Sequence, residues 1–473
     1  MRLMHGSGGL SVLTEEENRR LLDTVLTLLE KQGVAVENDI LLERFASIGA
    51  QVDRKSSRAR FPRNMVEAHL ERVTDRTGKI LHDRPVGFSA SAEIYHGLWL
   101  DPDDGALKPW NLENWQAYVS LAQHLPNLDG ISMLGCPMAE IPSAQQPLYE
   151  KLYCWKYGLS GGDAIWNTGF CEKILEMHRI WADACGRGLN EVFRGTVYLI
   201  SPLRFGHVEA EQYVWFHQHG LQVNVGWNGA LGGGLPVTIA GAVAVQTAEA
   251  LFVSMLQTLH FGPTPLCLSA SISVLDMRSA AQQYGRPEKS IANLAMSNFA
   301  RWLGATYSGH CGLSDAKAPG AEAGMQKATS AIFHAAAGGQ GYIAAGLLGT
   351  DEIFSPIQLI LDNELTGSLK HISNGLSADK DGLALDAILE EGPGGAFIGS
   401  MHTAEWFREV LWQPSVWSSS MTGVWKAAGG RHDVDLALEK YHAFQSSPGE
   451  LAVHMEERVE RELRKVIEPG NTH

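Results

Sequence analysis

Through the first 75 residues, apolar positions recur every three or four residues. Between Thr14 and Gly33 the sequence TEEENRRLLDTVLTLLEKQG places Leu21, Leu22, Val25, Leu28 and Leu29 on one stripe. Thr14 followed by Glu17 is a capping box and Gly33 supplies the stop, so a helix is predicted between them. Further helices are predicted from about Asn38 to Ser47 and from Pro62 to Arg72, giving a small N-terminal helical cap. From Lys79 to Lys108 the pattern changes to short strands, GKILHD, PVGFSAS and YHGLWLD, broken by the turn cluster Asp101 to Gly105. This stretch, with Tyr95, Trp99 and Trp110, reads as a small β excursion.

From Trp115 onward, helical patterns alternate with short apolar runs. The runs are 129–135, 163–169, 193–201, 221–228, 265–271, 305–311, 341–349 and 395–401. Eight strands separated by crossover-length helices predict an α/β chain, a (β/α)8 TIM-type barrel. The expected division is a cap and excursion over 1–110, then the barrel with a C-terminal helical extension over 111–473. A doubly wound open sheet is the alternative, but no G-x-G-x-x-G opens a first βα unit. GALGGGLP, from Gly229, is rich in glycine yet has no Walker lysine, so a phosphate loop there is a weak reading.

Composition narrows the function. Apolar residues at 45% and charged residues at 19% fit a well-buried globular enzyme. The net charge of −15 argues against a nucleic-acid footprint and suits a cationic substrate. Six scattered cysteines, Cys136, Cys154, Cys171, Cys185, Cys267 and Cys311, read as reduced buried thiols. A zinc set from His260, Cys267, His310 and Cys311 lacks ligand spacing, and no metal is expected. With no secretory h-region and no run of about 18 apolar residues, a cytoplasmic protein without membrane contact is expected.

In a barrel, residues just past the strand C-termini converge on one mouth. Asn167, Thr168, Ser201, Arg204, Asn224, Asn228, Ser271, Asp276, His310, Asp315, Glu352 and His402 fall at or near such positions. Asp315, His310, Asp276 and Glu249 are the catalytic candidates. The competing readings are a turn or helix cap for each aspartate, a satisfied core histidine for His310, and a carboxylate tied to backbone for Glu249. Lys317 is a surface charge or a partner to Asp315. His402 is expected to open a helix with Thr403 as its cap. The aromatic residues Tyr95, Trp166, Tyr198, Trp227, Tyr307, Tyr342, Phe354 and Phe397 interleave with the crown. Core filling is the ordinary use of each ring, but several together could hold a cation against their faces. Trp166, Trp227, Tyr95, Tyr307 and Phe354 are the candidates for substrate binding, with Arg204 and His402.

Taken in order, several motifs resemble one family. The runs GALGGGLPVTIAGAVAVQTAEAL, SVLDMRSA, RPEKSIANLAMSNFARWLGATYSGHCGLSDAKAPGAEAGMQKA, LILDNEL and GPGGAFIGSMHT are similar to the trimethylamine methyltransferase family, as is the start TEEENRRLLDTVLTLLEKQGVAV. The resemblance implies a barrel that moves a methyl group from a methylated amine to the cobalt of a separate corrinoid protein docked over its mouth. It implies no tightly bound cofactor, since the partner presents the cobalamin, and a homo-oligomer. Founding members carry pyrrolysine; this chain has only the common residues, and Gly341 to Gly349 is taken as the replaced position. A quaternary ammonium already bears the charge that makes it a leaving group, so the expected substrate is a betaine-type quaternary amine such as glycine betaine, proline betaine or carnitine. Catalysis then needs positioning and water exclusion more than acid chemistry. Arg204, His310, His402 and backbone N–H groups are open alternatives for holding a betaine carboxylate. Other readings are direct transfer to tetrahydrofolate, a cytoplasmic amine sensor, and a metal-dependent or lyase-type barrel using His310, Asp315 and Glu249.

Overall fold

Residues 10–75 and 87–468 are described in a computed structural model of the chain. The opening helix spans Glu15–Thr27 with its capping box formed: Glu17 N–H donates to Thr14 Oγ1 at 3.3 Å, and Thr14 N–H donates to Glu17 at 2.8 Å. A widened turn, Leu28–Gln32, ends at Gly33, whose φ is +65°. Leu21, Val25 and Leu29 are buried, and the helix packs on Ile239–Phe261. Helices Asp39–Ser47 and Arg63–Val73 also form as predicted. The cap nonetheless contains three strands that were not expected, Val34–Val36, Gln51–Asp53 and Arg58–Arg60. Runs of three residues are too short to show a period of two. The first of them pairs in parallel with Arg204–Phe205, which joins the cap to the main sheet.

The main body alternates strand and helix. Its parallel strands are β1 (Phe88–Ile94), β2 (Gly130–Met133), β3 (Ser160–Gly161), β4 (Thr196–Ile200), β5 (Asn224–Leu231), β6 (Cys267–Leu275), β7 (Thr306–Gly309) and β8 (Gly341–Ala345). One ladder runs β8–β1–β2–β3 and the other β4–β5–β6–β7. They meet at a parallel bridge between Ala164 and Thr196, with Thr196 N–H on Asp163 O at 2.8 Å. On the opposite side, Ala344 N–H donates to Gly312 O at 3.1 Å. Gly312 has φ +72°, and a Cβ there would lie 1.9 Å from Tyr342 O, so only glycine permits this approach. The class is mixed α/β, with two four-strand ladders rather than one unbroken sheet.

Two strand assignments change. Residues 88–94, read as part of a β excursion, form β1 between β2 and β8, so the sheet begins before residue 110. Its sequence, FSASAEI, alternates apolar and polar side chains, and five of its seven residues are buried. Residues 395–401 are not a strand: Phe397–Gly399 is a 3₁₀ turn and Met401–Val410 a helix, both without buried residues. Ser400 rather than Thr403 caps that helix, its Oγ accepting from Thr403 N–H at 3.2 Å. The run GKILHD lies outside the described residues, while Leu98–Leu100 and Leu107–Lys108 form a small sheet with Leu347–Leu348 and Ile353–Phe354.

An ion pair that nothing in the pattern announced sits in the core. Lys327 Nζ lies 2.5 Å from Asp362, both fully buried, and also donates to Ala344 O at 2.6 Å. Asp362 further accepts from Gly346 N–H at 2.9 Å and Gln358 at 2.8 Å. Each charge is met by hydrogen bonds, as burial requires, and the pair joins two helices to the end of β8. Helix Ile239–Phe261, whose small and apolar residues are interrupted by Gln246, Thr247 and Glu249, is long and apolar enough to span a membrane by length and composition; 78% of its best window is buried inside the fold. All six cysteines are free, but Cys185 and Cys267 are exposed rather than buried.

Candidate active site

A cavity of about 580 Å³ opens at the C-terminal ends of the strands. Glu93 and Tyr95 come from β1 and its end, Asp163 and Trp166 from the segment after β3, Thr196 and Tyr198 from β4, and Trp227 and Asn228 from β5. Ser269 and Ser271 on β6, Ser308 on β7, His310 just beyond it, and Leu347 and Asp351 after β8 complete most of the lining. The pairs 93/95, 196/198 and 269/271 show the alternation by which a strand sends every second side chain to one face. Tyr198 fits because position 226 is glycine; a Cβ there would lie 2.8 Å from its ring.

The lining has two chemical halves. Five rings, Tyr95, Trp166, Tyr198, Trp227 and Tyr284, supply π faces, with Trp166 and Tyr198 about half exposed at the rim. Trp166 packs edge-on to His96 at 5.6 Å and donates to the buried Glu150 carboxylate. Three carboxylates, Glu93, Asp163 and Asp351, face the same space. Burial pushes Glu93 up to about 7, helped by repulsion from Asp351 and opposed by the Tyr342 hydroxyl, which donates to it. Burial likewise raises Asp351 to about 6, against the pull of Lys289 and a bond from Tyr284, and raises Asp163. Asp351 lies in a turn where Thr350 and Asp351 have φ of +60° and +72°, a conformation that costs free energy in non-glycine residues and aims the carboxylate. Among the described residues, Asp351 Oδ1 and Trp227 Nε1 are buried polar atoms without a hydrogen-bond partner. Acids desolvated beside aromatic faces make a site for a cation.

Of the residues singled out from sequence, the site candidates His310, Trp166, Trp227 and Tyr95 line the cavity, as do Asn228, Ser271 and Tyr198 of the wider crown. His310 is held neutral: burial depresses it well below the usual histidine range, with Lys289 and His334 adding to the effect, and its Nδ1 sits 3.2 Å from Ser271 Oγ. The other candidates lie elsewhere. Asp315 accepts from Tyr284 N–H at 2.6 Å, Gly285 N–H at 2.8 Å and Thr350 Oγ1 at 3.0 Å, so it is a loop tie beside the cavity. Asp276 closes a turn by accepting from Arg278 and Ser279 N–H and pairs with Arg286 at 2.8 Å. Glu249 is fully buried and accepts from Ser201 Oγ, Leu203 N–H and Gln246, which fastens the turn after β4. Tyr307 donates to Asn293 at 2.9 Å, and Phe354 packs in the core at 5.4 Å from Trp110 and 5.6 Å from Tyr118. Arg204 is paired with Glu37 at 2.8 Å, and His402 lies on the outlying helix Met401–Val410. Sequence reasoning passed over Glu93, Asp163 and Asp351. The readable signals were a carboxylate inside the apolar run ASAEIY and an acid beside Glu352, the neighbour chosen in its place.

His260 packs against His217, ring centres 3.6 Å apart and tilted by 49°, among a different set of partners from His310, so the zinc set is not assembled. Among the described residues no group of three or more His, Cys, Asp or Glu is arranged to hold a metal ion.

A strand-end cavity that combines rings and acids on an α/β scaffold defines a small-molecule enzyme site. The family profile described as Trimethylamine methyltransferase (MTTB) matches residues 2–469, and the chain belongs to that methyltransferase family. It is 24% identical to the trimethylamine methyltransferase MttB of Desulfitobacterium hafniense (strain DSM 10664 / DCB-2), over 97% of this chain and 94% of the relative. It is also 24% identical to the glycine betaine methyltransferase of Desulfitobacterium hafniense (strain Y51), over 88% of each chain. Among solved structures, the monomethylamine methyltransferase MtmB of Methanosarcina barkeri aligns over 92% of both chains at 9% identity, with a TM-score of 0.43.

Proposed function

We propose that this protein moves a methyl group from a quaternary amine to a separate corrinoid protein docked over the cavity, and that the two ladders act together as one (β/α)8 barrel whose mouth is the site. The observation that carries the reading is the meeting of five aromatic side chains and three carboxylates in one cavity. A quaternary nitrogen donates no hydrogen bond, so it is held by ring faces and by charge. Each well-placed ring contributes about 0.5–2 kcal/mol to that attraction.

The corrinoid, when bound, supplies a Co(I) nucleophile. The residues around the opening fit a broad apolar group: Leu134, Trp166 and Tyr198 are exposed there. The chain's own work is to hold the ammonium against Trp227, Tyr95 and Tyr284, direct one methyl toward the opening, and keep water from the C–N bond. That bond's electron pair stays on nitrogen and the amine departs neutral, so no proton need be delivered. The reading includes Leu347, from the segment 341–349, as a lining side chain where the founding members of the family have their special residue, and a cytoplasmic setting.

The test is incubation with a panel of quaternary amines and a reduced corrinoid protein. The expected result is loss of the Co(I) absorption together with the matching tertiary amine by mass spectrometry. Binding without turnover across the panel would favour a sensor, and turnover with tetrahydrofolate alone would reassign the acceptor.

A further inference from the structure

We infer that the amine taken by this pocket is a quaternary cation without a carboxylate beside the nitrogen, of the choline or tetramethylammonium kind, rather than a short zwitterionic betaine. The inference rests on the quaternary-amine reading and narrows it. Three carboxylates face the cavity, and among the described residues no lysine or arginine lines it. The cations expected to hold a substrate carboxylate are elsewhere: Arg204 is bound to Glu37, and His402 is on the outlying helix. Lys289 is buried with its Nζ 4.9 Å from the Tyr284 ring centre and 3.3 Å from Ile272 O, so the tyrosine stands over it.

In glycine betaine one carbon separates nitrogen from carboxylate. If the ammonium sits among the rings, its carboxylate must enter the same cavity, face three acids and find only neutral donors. A buried anion without a cationic partner is unfavourable. A hydroxyl is better matched, because it can donate to an acceptor such as Asp351 Oδ1 and accept from a donor such as Trp227 Nε1, the two unpartnered atoms.

Calorimetric titration of the whole protein with choline, tetramethylammonium, glycine betaine and the uncharged choline isostere 3,3-dimethylbutanol separates the possibilities. Choline or tetramethylammonium is expected to bind at least ten-fold more tightly than glycine betaine. In Asp351→Asn and Glu93→Gln that ratio should shrink, which a merely structural lesion would not cause. Tighter binding of glycine betaine, or an unchanged ratio in both variants, overturns the inference while leaving the quaternary-amine reading in place. If the isostere binds as well as choline, or no ammonium binds, both are wrong.

Discussion

The carboxylates on Gly229 to Ala323 and those that line the cavity are the same chemical groups in opposite circumstances. Glu249, Asp276 and Asp315 each accept several hydrogen bonds and fix turns. Glu93, Asp163 and Asp351 come from three distant segments and line one cavity; burial raises their affinity for protons, as it does that of Glu249, so their partners rather than their titration separate the two sets. A carboxylate saturated by backbone N–H groups is scaffold. One that is desolvated beside rings, as Asp351 is with an unpartnered oxygen, is available to a ligand.

The sharpest way to break the contrast is to neutralise the lining. The double variant Glu93→Gln, Asp351→Asn is expected to weaken binding of a quaternary ammonium about 100-fold, roughly 2.7 kcal/mol, in calorimetric titration. Less than a three-fold loss would mean that the acids do not face the ligand. Trp227→Ala should cost about ten-fold, and Trp166→Ala at the half-exposed rim less, by the same measurement.

Asp315→Asn is expected to lower the melting temperature, with a loss of about 1–3 kcal/mol from disturbed hydrogen bonds, and to change amine affinity less than three-fold. A turnover defect with an unshifted melting point would restore it as a catalytic residue.

Two pH effects follow with opposite signs. Glu93 titrates near 7 and Asp351 near 6 in the free pocket, and a bound cation favours their ionised forms. Amine affinity should therefore rise from pH 5 to pH 8, and the neutralised double variant should flatten that rise. Glu249 is raised from 4.5 to about 7, mainly by burial, so the folded chain holds a proton there that the unfolded chain releases. Its contribution is fully present below about pH 4.5 and is lost as pH rises through 7. Glu249→Gln should reduce the fall in melting temperature between pH 5 and pH 7.5. The smallest effects belong to Arg204→Ala and His402→Ala, which should leave amine affinity within two-fold.

Much of the fold was legible because helices and parallel strands write their periods locally. The helix predicted from about Asn38 to Ser47 is Asp39–Ser47 with Asn38 as its cap, and the Thr14–Glu17 box and the Gly33 stop were read correctly. β1 was read as a strand but assigned to a separate excursion, because local alternation marks a strand without saying which sheet it joins, and 395–401 was misread because a glycine-rich apolar run imitates a strand. Four of the five rings of the aromatic wall were readable, Tyr95, Trp166, Trp227 and Tyr198, and only Tyr284 was not. The acids were not, because a carboxylate looks alike in sequence whether backbone N–H groups satisfy it or a cavity desolvates it.

The sequence by itself determined the α/β alternation, the capped N-terminal helices, the acidic character and the family, all of which depend on local pattern or on order along the chain. Only the tertiary structure decided that Glu93, Asp163 and Asp351 share one cavity while Glu249, Asp276 and Asp315 hold turns. The reason is physical: a carboxylate's role is set by what surrounds it in three dimensions, and those surroundings come from segments up to about 260 residues away, as Asp351 is from Glu93.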